Sequence, residues 1–327
     1  MYMKSELSSQ RWPSVANLMR ALLGAWLLCG APASIASLPS VAAGSIQRIV
    51  GFTARHVPAR DIDVWLPHDY PAAGKYAVLY MQDGQMLFDA THTWNHQEWR
   101  ADETAASLID AGTTRPFIIV AIANVGAARH SEYFPQKPFE SLDRRQRRAL
   151  YRLQRDEKTP LFAGKVYSDR YLKFIVHELK PYIDTHFSVH RGRANTFIMG
   201  SSMGGLIALY ALTEYPDVFG GAACLSTHWP GTFTLTNNPI PAALLSYLDA
   251  HLPPARRHRL YFDHGTGTLD AFYPPLQAQV DDLMRAHHYP PELWQTRVFA
   301  GAEHSEQAWS ARLHLPMQFL LAAPAGP

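Results

Sequence analysis

The sequence predicts an α/β fold, a mostly parallel central sheet flanked by helices on both faces. Three observations carry that expectation. After two initial β-prone runs, strand-like and helix-like segments alternate along the chain. Two of the runs, Tyr76 to Met81 and Phe117 to Ile122, are apolar at every position, as in strands buried on both faces. Asp83-Gly84, Ser202, Asp270 and His304 each fall just after a predicted strand, and open α/β sheets place their sites at the carboxyl ends of strands.

The chain has 327 residues, 47% hydrophobic and 18% charged, which suits one large domain with a full core. It opens with Lys4, Arg11 and Arg20, the apolar run Ala21 to Cys29, and the small residues Ala31 to Ser37. That order of charge, apolar core and small residues is expected of a secretion signal over residues 1–36, with cleavage after Ala36 or at a later site near Ala43; a retained N-terminal anchor or a lipid on Cys29 is the alternative. The apolar run is short for a membrane span, so no span is expected in the mature chain. The expected location is exported, either periplasmic or extracellular. The three basic residues and Glu6 account for the whole formal charge of +2. The remainder is neutral and offers no basic surface for nucleic acid. Only Cys29 and Cys224 are present, so a mature chain has no pair for a disulfide.

Residues 37–45 read as a linker, and 46–327 as a single domain. Strands are expected at 46–50 and 61–66. A turn-rich loop follows at 67–75, and then the strand 76–81 ends at Gln82-Asp-Gly-Gln85. Residues 99–111 read as a helix and 117–122 as a strand, with irregular chain over 124–138. The arginine-rich stretch from Asp143 to Arg155 reads as a solvated helix within a cap-like insertion around 139–168. An amphipathic helix is expected over 169–187, with a kink at Pro181. Further strands are expected at 197–199, 221–225, 259–262 and 295–299. Helices are expected at 241–252, 274–287 and 306–321.

The centre of the chain is Gly200-Ser-Ser-Met-Gly204, with strand-like Phe197-Ile-Met199 before it and helix-like Leu206-Ile-Ala-Leu209 after it. This G-x-S-x-G pattern describes a sharp strand-to-helix turn that presents a serine hydroxyl, here that of Ser202. The flanking glycines remove side chains that would collide across the turn. The helix start offers free N–H groups and partial positive charge to an oxyanion.

A serine hydroxyl becomes a nucleophile when a base takes its proton, and a carboxylate then holds the base. His304 lies in a glycine-containing loop after the last strand and is the expected base among 16 histidines. Asp270 is the expected acid. Asp263 on the same strand end, and Asp281 and Asp282 on the next helix, are its rivals. An oxyanion needs two backbone donors. Met203 N–H follows the serine, and Gly84 lets the chain aim the Gln85 N–H inward, although Asp83-Gly84 also reads as a plain turn. Arg129, Tyr133, His228 and Trp229 are candidate substrate-binding residues, with loop support and ordinary packing as the alternatives. His92 and His96 have ligand spacing but no carboxylate-rich surroundings, so no metal is expected.

These residues, taken together, resemble a known family. The segments Tyr80-Met-Gln-Asp-Gly-Gln-Met-Leu-Phe88, Arg129-x-x-Glu132-Tyr133-x-Pro135, Tyr171-Leu172 with Glu178-Leu-Lys-Pro181, and Gly200-Ser-Ser-Met-Gly-Gly205 are similar to the esterase D-like, or enterochelin esterase-like, branch of the α/β-hydrolases. So are Tyr215-Pro-Asp-Val-Phe219, Gly265-Thr with Asp270, and Gly301-Ala-Glu-His304 with Trp309. The resemblance spans roughly residues 46 to 322. It implies the α/β-hydrolase fold and cofactor-free ester hydrolysis, with Ser202 as nucleophile, Asp270 as acid, His304 as base, and Gln85 and Met203 N–H as the oxyanion hole. Members acting on S-formylglutathione carry Ser-Gly-Leu where this chain has Asp83-Gly84-Gln85, and residues 143–158 look inserted. Both departures argue against that activity. The expected partner is a small-molecule or glycan ester, whether a siderophore, plant-wall or sugar acyl ester. Acyl transfer to an alcohol by the same residues, and a non-catalytic binding module on the same fold, are the alternative readings.

Overall fold

The computed structural model describes residues 37–72 and 74–322. The secretion signal expected over residues 1–36 lies outside the described residues. Eight strands form one sheet: β1 (Ser45–Phe52), β2 (Arg60–Leu66), β3 (Ala77–Gln82), β4 (Phe117–Ile122), β5 (Thr196–Ser201), β6 (Gly221–Leu225), β7 (Arg259–Gly265) and β8 (Trp294–Phe299). Their order is β1-β2-β4-β3-β5-β6-β7-β8. Strands β3 to β8 are parallel, and β2 runs antiparallel to both β1 and β4. The expected mostly parallel α/β sheet is therefore the observed one.

The pleat sorts side chains into two layers. Along β3, Ala77, Leu79 and Met81 enter one core and Val78 and Tyr80 the other, the period of two that a strand imposes. The first layer is covered by α1 (Ala101–Asp110), α10 (Glu306–Ser310) and α11 (His314–Leu321). The second takes α2 (Arg129–Tyr133), α3 (Gln136–Ser141), α4 (Arg144–Leu150), α5 (Ser168–Phe174), α6 (Lys180–His186), α7 (Met203–Glu214), α8 (Ile240–His251) and α9 (Pro274–Ala286). Among the described residues, no helix is long and apolar enough to cross a membrane.

Several boundaries differ from expectation for identifiable reasons. The long helix at 169–187 is α5 and α6 joined by a π-helical turn, Ile175–Leu179. Pro181 lacks the N–H that would bond the carbonyl four residues back, so the ladder is disturbed just before it. The final helix breaks between α10 and α11, which puts Pro316 in the first turn of a new helix, where its missing donor costs little. The stretch 124–138, read as irregular, contains α2 and the start of α3. The presumed linker is held along the domain: Ser40 and Ala42 N–H donate to Asp89 and Asp102 carboxylates (2.8 and 2.7 Å), and Ala43 O accepts from the Trp65 indole (2.8 Å). The stretch 139–168 includes α4, whose start carries a reciprocal capping box between Asp143 and Gln146. It also sends Phe139, Leu150, Leu161 and Phe162 into the core.

The strand order turns back at β3, which lies between β4 and β5. In open sheets of this kind, ligands bind outside the carboxyl ends of the strands at such a point. The loops after β3 and β5 meet there.

Candidate active site

Ser202 stands between β5 and α7 at φ 57°, ψ −121°, a region that L-residues rarely occupy. The glycines permit the turn. A Cβ on Gly200 would lie 2.6 Å from the Gly204 carbonyl oxygen, and one on Gly204 would crowd Gln82 and Asp83 at 3.2 Å. The elbow is fastened through its backbone. Ser202 N–H donates to Leu225 O (2.9 Å), and Ser202 O accepts from Gly205, Leu206 and His228 N–H (3.1 to 3.2 Å). Met203 is the first residue of α7, so its N–H has no acceptor within the helix.

His304 and Asp270 meet from different loops. His304 Nδ1 lies 2.6 Å from Asp270 Oδ1. The imidazole is wedged edge-to-face against Trp309 (5.0 Å between centroids) and Tyr273 (5.8 Å). The backbone N–H of His304 is tied to Thr268 Oγ1 at 2.8 Å. Asp270 is fully buried, and its Oδ2 accepts from Ser226 Oγ and Gly265 N–H, both at 2.6 Å. Burial alone raises a carboxyl pKa. Here the hydrogen bond and charge of His304, with the Ser226 and Gly265 donors, outweigh burial and hold Asp270 below the ordinary carboxylate range.

The rival Asp263 lies within β7, which runs three residues further than expected. Its carboxylate engages Arg312 Nη2 (3.0 Å) and Tyr261 OH (3.2 Å) rather than His304. Burial pushes its pKa up, against the pull of Arg312. The two acids near the end of β7 are thus shifted in opposite directions. Asp281 bonds Gln277 and Thr296 (2.9 and 2.7 Å), and Asp282 pairs with Arg285 at 2.6 Å on exposed helix surface.

Beyond β3 the chain enters a tight turn, Gly84–Met86, with Asp83 at φ 56°. A Cβ at Gly84 would lie 2.5 Å from the Ala121 carbonyl carbon, so only glycine lets this turn lie against β4. Met86 N–H closes the turn on Asp83 O (2.8 Å), which leaves the Gln85 N–H at its open start. Gln85 Oε1 accepts from Asn124 N–H at 3.1 Å.

Arg129 and Tyr133 brace this turn. Arg129 grips the Asp83 carboxylate with two nitrogens (2.6 and 2.7 Å), Asn124 Nδ2 adds a third bond (2.7 Å), and Tyr133 OH accepts the Asp83 N–H (3.3 Å). Glu132, from the same helix, pairs inward with buried Arg60 at 2.6 and 2.8 Å. Arg129 and Tyr133, read as substrate-binding candidates, are thus engaged as loop supports, and Tyr133 is fully buried. Trp229 takes the packing alternative. It is 3% exposed, its indole N–H bonds Gln277 Oε1 (3.0 Å), and its ring packs on Phe262, so it belongs to the core.

His228 is held below the elbow, its Nδ1 2.8 Å from Tyr273 OH. Burial, followed by the nearby His130, His304, Arg129 and Arg155 charges, pushes its pKa well below the ordinary value. His130 Nε2 donates to Gly231 O at 3.0 Å, and burial, with the charges of Arg155 and Arg129, lowers its pKa from 6.5 to about 3. Both rings stay neutral in the fold while the unfolded chain takes up protons. Stability is therefore expected to fall as pH drops from about 6.5 toward about 3, by up to about 5 kcal/mol for His130 alone. Urea unfolding measured across that window checks this, and His130→Gln should flatten the slope. An unchanged unfolding free energy between about pH 7 and about pH 4 would contradict it.

Ser226, Arg312 and Asn124 surround these groups without having been singled out in the sequence. Ser226 follows a predicted strand, the same positional signal that marked Ser202 and His304. Arg312, on the turn after α10, carries no local signal.

A family model described as "Putative esterase" matches residues 58–317. The chain belongs to this esterase family. It is similar to the uncharacterized protein YbbA of Bacillus subtilis, 26% identical over 172 residues, which are 52% of this chain and 58% of that protein. The chain thus spans a little over half of that relative's length. Among solved structures, this family member is similar to a ferulic acid esterase of Anaeromyces mucronatus, with a TM-score of 0.59 and 17% identity over 87% of this chain and 92% of that one. It is also similar to the enterobactin esterase of Shigella flexneri, with a TM-score of 0.55 and 17% identity over 86% and 60% of the two chains. At these identities the structural matches show the α/β-hydrolase fold.

Proposed function

We propose that this protein is an exported serine esterase that works through an acyl-enzyme. Ser202 attacks the ester carbonyl, His304 takes the hydroxyl proton and returns it to the leaving alcohol, and Asp270 holds the imidazole with Nδ1 protonated. The Met203 and Gln85 N–H groups stabilise the tetrahedral oxyanion, and water then releases the acid. The observation that carries this reading is the 2.6 Å Asp270–His304 pair, on the loops after β7 and β8, in a chain that holds Ser202 in an elbow after β5. Membership of the esterase family supports the same chemistry. The basic, apolar and small-residue order of residues 1–36 supports export.

The substrate class we propose is an ester of an aromatic acid. Large apolar side chains are exposed on the loops around the site: Phe272 on the turn that bears Asp270, Phe233 beside His228, and Trp94 next to Asn95, which bonds Glu306 two residues after His304. Exposed aromatics on loops that carry or flank the site residues offer surface to an apolar ligand. The two structural neighbours are a ferulic acid esterase and an enterobactin esterase, which supports the same direction. Purified protein should hydrolyse methyl ferulate with a kcat/KM at least about 10-fold above that for a methyl alkanoate. Equal or reversed preference would refute the aromatic assignment. Alcoholysis products outweighing free acid in the presence of glycerol would favour acyl transfer over hydrolysis.

A further inference from the structure

Ser226 is a fully buried serine directly after β6, with φ 42°. A non-glycine residue in the left-handed region is uncommon, and such strain persists only where the surroundings impose it. Here its backbone N–H is pinned to Asp263 O at 2.7 Å. Its side chain is enclosed by three groups. Oγ lies 2.6 Å from Asp270 Oδ2, 2.9 Å from Trp309 Nε1 and 3.0 Å from Arg312 Nη2.

The direction of each bond follows from chemistry. An indole N–H and a guanidinium can only donate, and a serine hydroxyl has two lone pairs and one proton. Trp309 and Arg312 therefore fill both lone pairs of Ser226. Its single proton is left one acceptor, the Asp270 carboxylate. Arg312 is itself oriented by Asp263, which the same Nη2 meets at 3.0 Å. Trp309 is also the ring against which His304 stands edge-on, 5.0 Å between centroids. One buried cluster thus sets both the carboxylate and the imidazole that it holds.

We infer that Ser226 is a positioning residue for Asp270: its hydroxyl, its direction fixed by Trp309 and Arg312, orients the carboxylate that holds His304. The inference rests on the triad reading above. It does not touch the substrate and acts only through Asp270. It also gives Asp263 a role at the site: its pairing with Arg312 orients the guanidinium that locks Ser226.

The test is a double-mutant cycle in the full chain, with kcat and KM read on p-nitrophenyl acetate and a melting curve for every variant. Ser226→Ala should lower kcat by about 10- to 100-fold, as a misdirected catalytic group does, with KM changed less than about 2-fold. In an Asp270→Ala background, Ser226→Ala should change kcat by less than about 2-fold, because its only target is gone. Should Ser226→Ala melt below assay temperature, Trp309→Phe carries the test. It keeps a ring against His304 but releases one lone pair of Ser226, so the fractional loss of kcat should be several-fold larger in the wild type than in Asp270→Ala. An undiminished kcat in Ser226→Ala, or the same fractional loss in both backgrounds, would overturn the inference and leave Ser226 a packing residue. An Asp270→Ala variant as active as wild type would instead overturn the triad reading.

Discussion

Ser202→Ala is expected to lower kcat by about 10⁶-fold, to the level left by binding and the oxyanion donors. The substitution removes the atom that forms the acyl-enzyme in the proposed mechanism. It should leave the fold intact, because the elbow is fastened through backbone groups: Ser202 N–H to Leu225 O, and Ser202 O to three N–H donors. Alanine meets the same demand at φ 57°, ψ −121° as serine does, so strain is unchanged. Hydrolysis of p-nitrophenyl acetate with an active-site titration measures the loss. A fluorophosphonate should label the wild type at Ser202 and fail to label the variant. A variant that retains more than about 1% of wild-type kcat would place the nucleophile elsewhere.

Asp270→Asn is expected to cost about 10⁴-fold in kcat, and the hydrogen bonds say why. Asp270 accepts from three sides, taking His304 at Oδ1 and both Ser226 and Gly265 N–H at Oδ2. An amide has one acceptor oxygen and one NH₂ group. If the NH₂ faces Ser226 and Gly265, donors oppose donors in a buried site. If it faces His304, Nδ1 must accept and the proton moves to Nε2, so the imidazole loses the lone pair that takes the serine proton. The second arrangement stops general-base catalysis; the first keeps the tautomer but loses the charge that stabilises the imidazolium and destabilises the fold by about 1–3 kcal/mol. Pre-steady-state kinetics should show slow acylation with KM little changed. A fall of less than about 10-fold would argue that the carboxylate is not part of the machinery.

Much of this was readable along the chain because it is local. Gly200 and Gly204 are needed by a turn five residues long, and the apolar runs on either side declare a strand and a helix within the same window. The sheet was legible for a related reason: strands buried on both faces must be apolar at every position. What crosses the chain was not legible. Asp263 and Asp270 are seven positions apart near one strand end, and only the path of the loop shows that the first meets Arg312 and the second His304. Arg129 and Tyr133 looked like cleft residues because they are polar or amphipathic and near a strand end. Their partner, Asp83, comes from a different loop. Trp229 follows a strand too, but its indole turns inward to Gln277.

The sequence by itself determined the α/β sheet, the elbow with Ser202 at its apex and the strand-end positions of Asp270 and His304, since each depends on residues within a few positions of one another. The tertiary structure alone decided which carboxylate faces His304, that Arg129 supports the Asp83 turn, and that Ser226 is caught between Asp270, Trp309 and Arg312. Those are hydrogen bonds between buried and part-buried groups 34 to 86 residues apart. Such bonds depend on direction and on distances to a fraction of an ångström, and no local pattern of residue types encodes either.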